Sequence, residues 1–217
     1  MGQDARSRDT RVKLLDGALR TLTEQGIAKT SARSVATAAG VNQALVFYHF
    51  GSMDELLAAA CRHGAEQRVA RYRDRFAAVT TLGELLELGR RLHAEERAGG
   101  HVAVLGQLLA GAQTHPRLAP ATAAGLDLWV EELERVLARV IGSTPLGEFT
   151  DPAGLARALA ASFVGLELYE GVDPLGAERA LDALERLVEL VGVLEELGPV
   201  AQRAVRHRLR RRTSPRR

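Results

Sequence analysis

The sequence predicts an all-α protein, in which a small N-terminal domain of three helices precedes a larger C-terminal helical domain. The first observation is composition: 46% of the 217 residues are apolar but only 4% are aromatic, which favours packed helices over a β-sandwich. The second is periodicity, because apolar residues recur at spacings of three and four in one segment after another. The third is a series of helix-start and helix-stop signals along the chain.

Composition and charge also bound the class of protein. Cys61 is the single cysteine, which excludes an internal disulfide framework and suits a reducing cytoplasm. The N-terminus is polar, so no signal peptide is expected. The sequence also contains no run of about 18 apolar residues, so no membrane span is expected. Residues 1–53 carry seven Lys/Arg against four Asp/Glu, and residues 200–217 carry eight Arg and no acid, although the net charge is only +2. A basic N-terminal region joined to an acidic central region is typical of a protein that contacts nucleic acid at one end.

Residues 10–25 are predicted to form the first helix. Gly26 ends it, since glycine readily takes the left-handed conformation found at helix stops. Residues 1–9 are interpreted as a mobile arm from which Arg6 and Arg8, with Arg11, reach phosphate or the minor groove; the alternative is a solvated terminus. The buried face of the helix is an apolar stripe formed by Val12, Leu15, Leu19 and Leu22.

Residues 31–50 have the pattern of a helix-turn-helix. A short helix over residues 32–39 is broken at 40–42, and Asn42 caps a second helix over residues 43–50. In such a motif the second helix enters the major groove of DNA.

Three residues of this stretch meet the steric demands of two steeply crossing helices. The motif needs a small residue at the contact, a left-handed residue at the turn and an apolar anchor on the second helix. Ala36, Gly40 and Val46 supply these in that order. Phe50, at the end of the second helix, is interpreted as a core aromatic.

The stretch resembles the DNA-binding region of TetR-family transcriptional regulators. Residues 47–50, Phe-Tyr-His-Phe, are similar to the aromatic signature of that family, and residues 51–56 are similar to the start of its next helix. The resemblance is specific over residues 8–68, which it identifies as a DNA-binding domain. It implies an effector-binding and dimerisation domain over residues 69–208, followed by a basic tail over residues 209–217.

The second helix of the motif carries the predicted base contacts. Gln43 and Ala44 occupy its first turn, where Gln can pair with adenine and Ala can contact a thymine methyl group. The resemblance implies that Tyr48 and His49 contact phosphates. Met53 departs from the family pattern, because many relatives have a phosphate-contacting lysine at this position. The predicted DNA-binding residues are Ser31, Arg33, Asn42, Gln43, Ala44, Phe47, Tyr48 and His49.

Capping signals predict the remaining helices. Ser52 with Glu55 and Thr81 with Glu84 form capping boxes, and two Asp-Pro pairs each start a helix. The predicted helices cover residues 53–78, 81–98, 101–113, 119–141, 151–171 and 173–208.

By resemblance, an effector pocket lies inside the helices between residues 81 and 171. Trp129 also fits an ordinary core stripe, which is the alternative for that residue. The sequence identifies no ligand, and no cofactor is expected. The predicted lining consists of Trp129, Phe163 and Tyr169, with His101, Gln107 or Gln113 as polar contacts.

The last two helices have surfaces that suit a partner. The first of them has a face of small side chains, including Gly154, which lets another helix approach closely. In the last helix apolar side chains spread around most of the circumference, and burial on one side does not explain this. A homodimer with a four-helix interface is predicted, as the resemblance also implies; the alternative is a central helix of a monomeric core. The predicted interface residues are Ala158, Ala161, Gly165, Leu184, Leu187, Val191 and Leu194.

No catalytic or metal-binding pattern is found in the sequence. It lacks G-x-S-x-G, H-E-x-x-H, a P-loop and paired cysteines, and Cys61 with His63 offers only two ligands. We therefore predict no enzyme and no metal site, but a homodimeric repressor that a small molecule releases from a pseudo-palindromic DNA operator. The alternatives are an all-α enzyme that keeps the helix-turn-helix as a scaffold, and a protein-interaction adaptor that uses the apolar last helix.

Overall fold

A computed structural model of the chain describes residues 2–114, 119–142, 147–195, 203–204 and 207. Within these ranges the chain forms nine α-helices and two short 3-10 helices, and it contains no strand, so the predicted all-α fold is confirmed. The 3-10 helices cover Ile27–Lys29 and Gly147–Phe149. The α-helices are α1 (Gly2–Gln25), α2 (Ala32–Ala39), α3 (Ala44–Phe50), α4 (Met53–Ala77), α5 (Leu82–Ala98), α6 (His101–Thr114), α7 (Ala119–Gly142), α8 (Pro152–Glu170) and α9 (Pro174–Glu195).

The chain divides into two compact units. The first comprises residues 1–71 and 96–129, and the second comprises residues 72–95 and 130–217. The divisions fall inside α4, α5 and α7, so each of these helices supplies residues to both units. Among the helices of the described ranges, none is long and apolar enough to cross a membrane.

The core of the first unit joins α1, α2, α3 and the start of α4. α1 and α2 approach closely at Gly17, where a β-carbon would lie only 3.0 Å from the carbonyl oxygen of Val35 and 3.0 Å from the β-carbon of Ala39. A side chain at position 17 would therefore push the two helices apart by a few tenths of an ångström. The packing holds α2 on α1 and thereby sets where α3 can leave the turn. The buried cluster consists of Leu14, Leu15, Ala18, Ala32, Val35, Ala36, Val46, Leu56 and Ala60.

Helix α1 begins at Gly2, eight residues before the predicted start, so the prediction of a mobile arm is wrong for residues 2–9. Asp4 lies in the first turn, where a negative charge complements the helix dipole. Lys13 Nζ pairs with Asp9 Oδ2 at 2.6 Å, one turn apart. These residues have no apolar stripe, and hydrophobic periodicity therefore gave no signal for this part of the helix.

A second cluster in the first unit joins α1, α4 and α6 around Cys61. Burial raises the pKa of the Cys61 thiol from 9.0 to about 11. The thiol therefore stays protonated at physiological pH and packs as a small apolar side chain. The cluster consists of Leu22, Leu57, Cys61, Val104 and Leu108.

Cys61 is expected to react slowly with a thiol reagent such as DTNB at pH 8. A pKa of about 11 in place of 9.0 leaves about a hundredfold less thiolate, which is the reactive species. The measurement is the rate of labelling of the folded chain, and the control is the same chain unfolded in urea. A folded chain that labels as fast as the unfolded one would show that Cys61 is not held in the core.

In the second unit, α8 and α9 pack on each other, and each starts where an Asp-Pro pair predicted it. Asp151 Oδ1 accepts a hydrogen bond from the backbone N–H of Ala153 at 3.1 Å. Asp173 Oδ1 accepts one from the backbone N–H of Gly176 at 2.9 Å. α9 is described as far as Glu195; most of the predicted continuation to residue 208 and the basic tail lie outside the described residues.

Candidate functional site

Hydrogen bonds at both ends of α2 fix the helix-turn-helix. Ser31 Oγ accepts from the backbone N–H of Ser34 at 3.2 Å, and Ser34 Oγ accepts from the backbone N–H of Ser31 at 2.9 Å. This reciprocal pair satisfies two donors at the start of the helix. At the other end Gly40 has a φ of 65°, in the left-handed region, and the chain turns there as predicted.

Asn42 caps the recognition helix α3, as predicted. Its Oδ1 accepts from the backbone N–H of Ala44 at 2.8 Å, and α3 begins at Ala44, one residue after the predicted start. Gln43 already has helical dihedral angles, φ −56° and ψ −34°, so this boundary shift changes no geometry. Val46 is fully buried and anchors the helix in the core.

The rest of α3 presents an exposed face that includes two aromatic rings. Tyr48 exposes 79% of its surface and Phe47 exposes 48%. Gln43 and Ala44 are exposed as well. Phe50 packs against the core, as predicted. Packing within the chain therefore accounts for Phe50 but leaves Phe47 and Tyr48 for an external partner.

Of the other predicted DNA-binding residues, Ser31, Arg33 and Asn42 are exposed and His49 is half-buried. The His49 ring lies 5.0 Å from the Tyr48 ring in an edge-on arrangement. The structure thus brings all eight predicted residues into α2, α3 and the segments that cap them.

Arginine side chains add positive charge beside the motif. Arg33 is exposed on α2. The Arg11 guanidinium lies 5.0 Å from the centre of the Phe50 ring, which holds it beside the end of α3 rather than on a free arm. Arg20 donates to the carbonyl oxygen of Ala38 at the end of α2. A cation beside the carbonyl end of a helix complements the helix dipole.

Met53, the departure from the family pattern, packs against both core clusters of the first unit. It is half-buried. An apolar side chain at this position therefore contributes to packing where a lysine would present a charge.

Met53→Lys is expected to tighten DNA binding and to steepen its salt dependence by about one unit of slope per half-site, because each added phosphate contact releases counterions. Loss of apolar burial should lower the free energy of unfolding by about 1 kcal/mol, since the lysine stem still covers part of the core. Affinity at two salt concentrations gives the slope. Met53→Gln is the uncharged control, and an equal slope for both variants would place the lysine away from phosphate.

The predicted effector-contacting residues fall into both units. Gln107 Oε1 accepts from the backbone N–H of Ile27 at 2.8 Å, so it connects α6 to the 3-10 helix that follows α1. Tyr169 exposes 51% of its surface, and its hydroxyl donates to Asp173 Oδ2 at 3.2 Å. The first unit contains His101, Gln107, Gln113 and Trp129, and the second contains Phe163 and Tyr169.

A cavity of about 300 Å³ lies among α1, α4 and α6 in the first unit. Its lining includes Arg20, Arg68, Arg71 and Glu24, and the Arg68 guanidinium is itself paired with Glu96 at 3.5 Å. His101 is the member of the predicted effector set that lines it.

The environment of His101 favours its neutral form. Burial lowers the pKa of His101, and the neighbouring Arg68 guanidinium lowers it further. Glu96, whose Oε2 lies 3.2 Å from His101 Nδ1, acts in the opposite direction. The imidazole therefore adds hydrogen-bonding capacity to the cavity at neutral pH without adding charge.

The predicted dimer face is exposed in the second unit. Leu184 and Leu187 of α9 expose 38% and 59% of their surfaces, and Leu190, which was not predicted, exposes 62%. Val191 is half-buried, and the Leu194 side chain lies outside the described side chains. An apolar patch of this kind marks an interaction surface. The small residues exposed on α8 are Ala158, Ala161 and Gly165.

One cluster of ionisable residues was missed at the sequence level. His93 of α5 lies between Glu167 and Glu170 of α8. The only local signal was the spacing of three between the two glutamates, which puts them on one face of a helix. Their meeting with His93, more than 70 residues away, depends on the tertiary fold.

Comparison with known proteins agrees with the geometry of the helix-turn-helix. The family model for bacterial regulatory proteins of the tetR family matches residues 14–60. The HTH-type transcriptional regulator Rv2912c of Mycobacterium tuberculosis is 27% identical over 116 residues, which are 54% of this chain and 60% of that protein. The match thus spans less than two thirds of this relative.

Solved structures match over most of the chain. The multidrug binding protein EbrR, in complex with imidazole, is 30% identical, with a TM-score of 0.58 over 82% of this chain and 94% of EbrR. A transcriptional regulator from Rhodococcus sp. Rha1 is 25% identical, with a TM-score of 0.62 over 87% of this chain and 99% of its own. These likenesses extend well beyond the matched N-terminal segment. The chain belongs to the TetR family of bacterial regulatory proteins.

Proposed function

We propose that this protein is a cytoplasmic, homodimeric transcriptional repressor that a small molecule releases from a pseudo-palindromic operator. The observation that carries the proposal is the exposed face of α3, where Gln43 and Ala44 precede the exposed rings of Phe47 and Tyr48. A recognition helix uses its first residues for base edges and later ones for the sugar-phosphate backbone. We propose no catalytic activity for the chain.

The domain division follows the resemblance. We assign DNA binding to residues 8–68 and effector binding with dimerisation to residues 69–208. Within the second region, the exposed leucines of α9 and the small residues of α8 support a homodimer, because two copies would bury them together in a four-helix contact. Two-fold symmetry of the protein then requires two related half-sites in the operator.

Two observations support a small-molecule effector. EbrR, whose fold is shared by this chain, forms complexes with imidazole, proflavin and malachite green. The cavity in the first unit has room for a small ligand, and Arg20 and Arg71 in its lining favour an anion. Its lining joins residues of the proposed DNA-binding region to Arg71, His101 and Val104 of the proposed effector-binding region. The effector-contact set predicted from the sequence, which includes His101, Gln107, Trp129, Phe163 and Tyr169, stays a prediction.

The test is a DNA-shift assay on the promoter beside the protein's own gene, followed by footprinting and a reporter assay. We expect a specific shift, protection of two half-sites related by two-fold symmetry, and lower reporter output when the protein is present. The matched control is the double variant Gln43→Ala with Tyr48→Phe, which keeps the fold because both side chains are exposed. A shift that competes equally with unrelated DNA, or protection of one asymmetric site, would contradict the proposal.

A further inference from the structure

The second unit contains three side chains of metal-ligating type at one point. His93 of α5 and Glu167 and Glu170 of α8 each offer one ligand atom, and these atoms all lie within 4.8 Å of one another. We propose that His93, Glu167 and Glu170 bind one divalent transition-metal ion. This inference does not depend on DNA binding.

The helix geometry builds this cluster. A spacing of three puts both glutamates on one face of α8, where they meet His93. His93 Nε2 lies 2.7 Å from Glu170 Oε2, and His93 Nδ1 forms a hydrogen bond with Glu167 Oε1. The Phe163 ring packs edge-on against the imidazole, with ring centres 6.1 Å apart. The His93 imidazole is thus held in place by contacts with Glu167, Glu170 and Phe163.

Burial distinguishes this cluster from ordinary surface carboxylates. The exposed fractions of the side chains are 13% for His93, 3% for Glu167 and 17% for Glu170. A divalent cation would offset both carboxylate charges at one point, which a single imidazolium does not do. The two glutamates contact opposite nitrogens of the ring, so binding of one ion, with ligand distances of about 2.0–2.2 Å, requires at least one carboxylate to move from its present partner to the ion.

The donor set indicates the class of ion. One imidazole nitrogen and two carboxylate oxygens suit Zn²⁺, Mn²⁺, Fe²⁺ or Co²⁺, whereas Ca²⁺ takes six to eight oxygen ligands. Three protein ligands leave at least one coordination position for water or another molecule.

The competing explanation is a purely structural one, in which a protonated imidazole bridges two carboxylates. The two explanations differ in a measurable way, since only a metal site takes up one ion per chain. Calorimetric titration of the full-length, chelator-treated protein with ZnCl₂, and separately with MnCl₂, measures that stoichiometry. We expect one site per chain and a rise in Tm when the ion is present, because an ion bound to the folded state stabilises it.

Variants locate the site. Glu170→Gln keeps the size of the side chain and should weaken binding at least about tenfold, because even residues behind the ligands change metal affinity by that factor. His93→Gln should do the same and should also remove the nitrogen ligand from the visible spectrum of the Co²⁺-loaded protein. Glu178→Gln, exposed on α9, changes the charge equally and should leave binding unaltered.

Two results would overturn the proposal. One is the absence of binding heat and of a Tm shift for the unaltered protein at millimolar Zn²⁺ and Mn²⁺, which would assign the cluster to a bridging imidazolium. The other is full affinity and stoichiometry in His93→Gln, which would place the ion elsewhere. If Glu170→Gln loses its fold by circular dichroism, the Co²⁺ spectrum of the unaltered chain and the His93→Gln titration decide the question.

Discussion

Replacing Leu187 and Leu190 with glutamate is expected to convert the protein into a monomer and to abolish tight operator binding. Both side chains are largely exposed in the single chain, so the substitutions should change the free energy of unfolding of the protomer by only about 0.5 kcal/mol. In the proposed dimer they would be covered by the partner. Each buried, unpaired carboxylate then costs about 3–5 kcal/mol, and two-fold symmetry doubles the number of charges.

Light scattering provides the measurement, with a mass near 23.4 kDa expected for the variant and twice that for the unaltered chain. The matched control is Leu187→Met with Leu190→Met, which keeps the surface apolar and should remain dimeric. The interface residues predicted from the sequence include Val191 but not Leu190. Val191 is half-buried within its own chain, so a charge there would test folding and association together. A glutamate variant that stays dimeric would move the interface off this face.

Features that depend on local chemistry could be predicted from the sequence. The caps at Ser31, Asn42 and Asp151 start their helices because a side-chain oxygen accepts from a backbone N–H two or three residues ahead. Gly40 ends α2 because it alone tolerates the left-handed turn without strain. Such signals act within one helical turn and are therefore visible in a single sequence.

Features that depend on contacts between distant segments could not be predicted in this way. Leu45 of the second helix of the motif packs against the core of the first unit, because the direction of α3 is set by its packing on the other helices. The amide oxygen of Gln107 accepts a hydrogen bond from the backbone N–H of Ile27, 80 residues away, and the sequence gives no sign of this contact. The fold brings His93 of α5 to two glutamates of α8 that lie more than 70 residues away in the sequence. In each case the partner lies far away in the sequence.

Gln43→Ala is expected to show whether the Gln43 side chain contacts a base edge or only the sugar-phosphate backbone of DNA. The side chain is exposed at the start of α3, so its loss should not affect folding. If Gln43 forms a bidentate contact with adenine, the variant should lose about 1–3 kcal/mol on the cognate operator. It should lose much less on an operator mutated at that base pair. Binding to both operators at two salt concentrations provides the measurement, and equal losses on both would remove Gln43 from base reading.

Tyr48→Phe is expected to lower DNA affinity in a different pattern from Gln43→Ala, although both residues lie on the same helix. The ring is 79% exposed and only its hydroxyl is removed, so any loss of affinity reports a contact with DNA. A hydrogen bond to a charged phosphate contributes about 1.5–3 kcal/mol, and phosphates carry no sequence information. The loss should therefore be equal on cognate and mutated operators, and the salt slope should stay unchanged because the hydroxyl is neutral. Arg33→Ala is the charged comparison, expected to lower that slope by about one unit per half-site. If Tyr48→Phe changed the base preference, α3 would have to lie in the groove in another orientation.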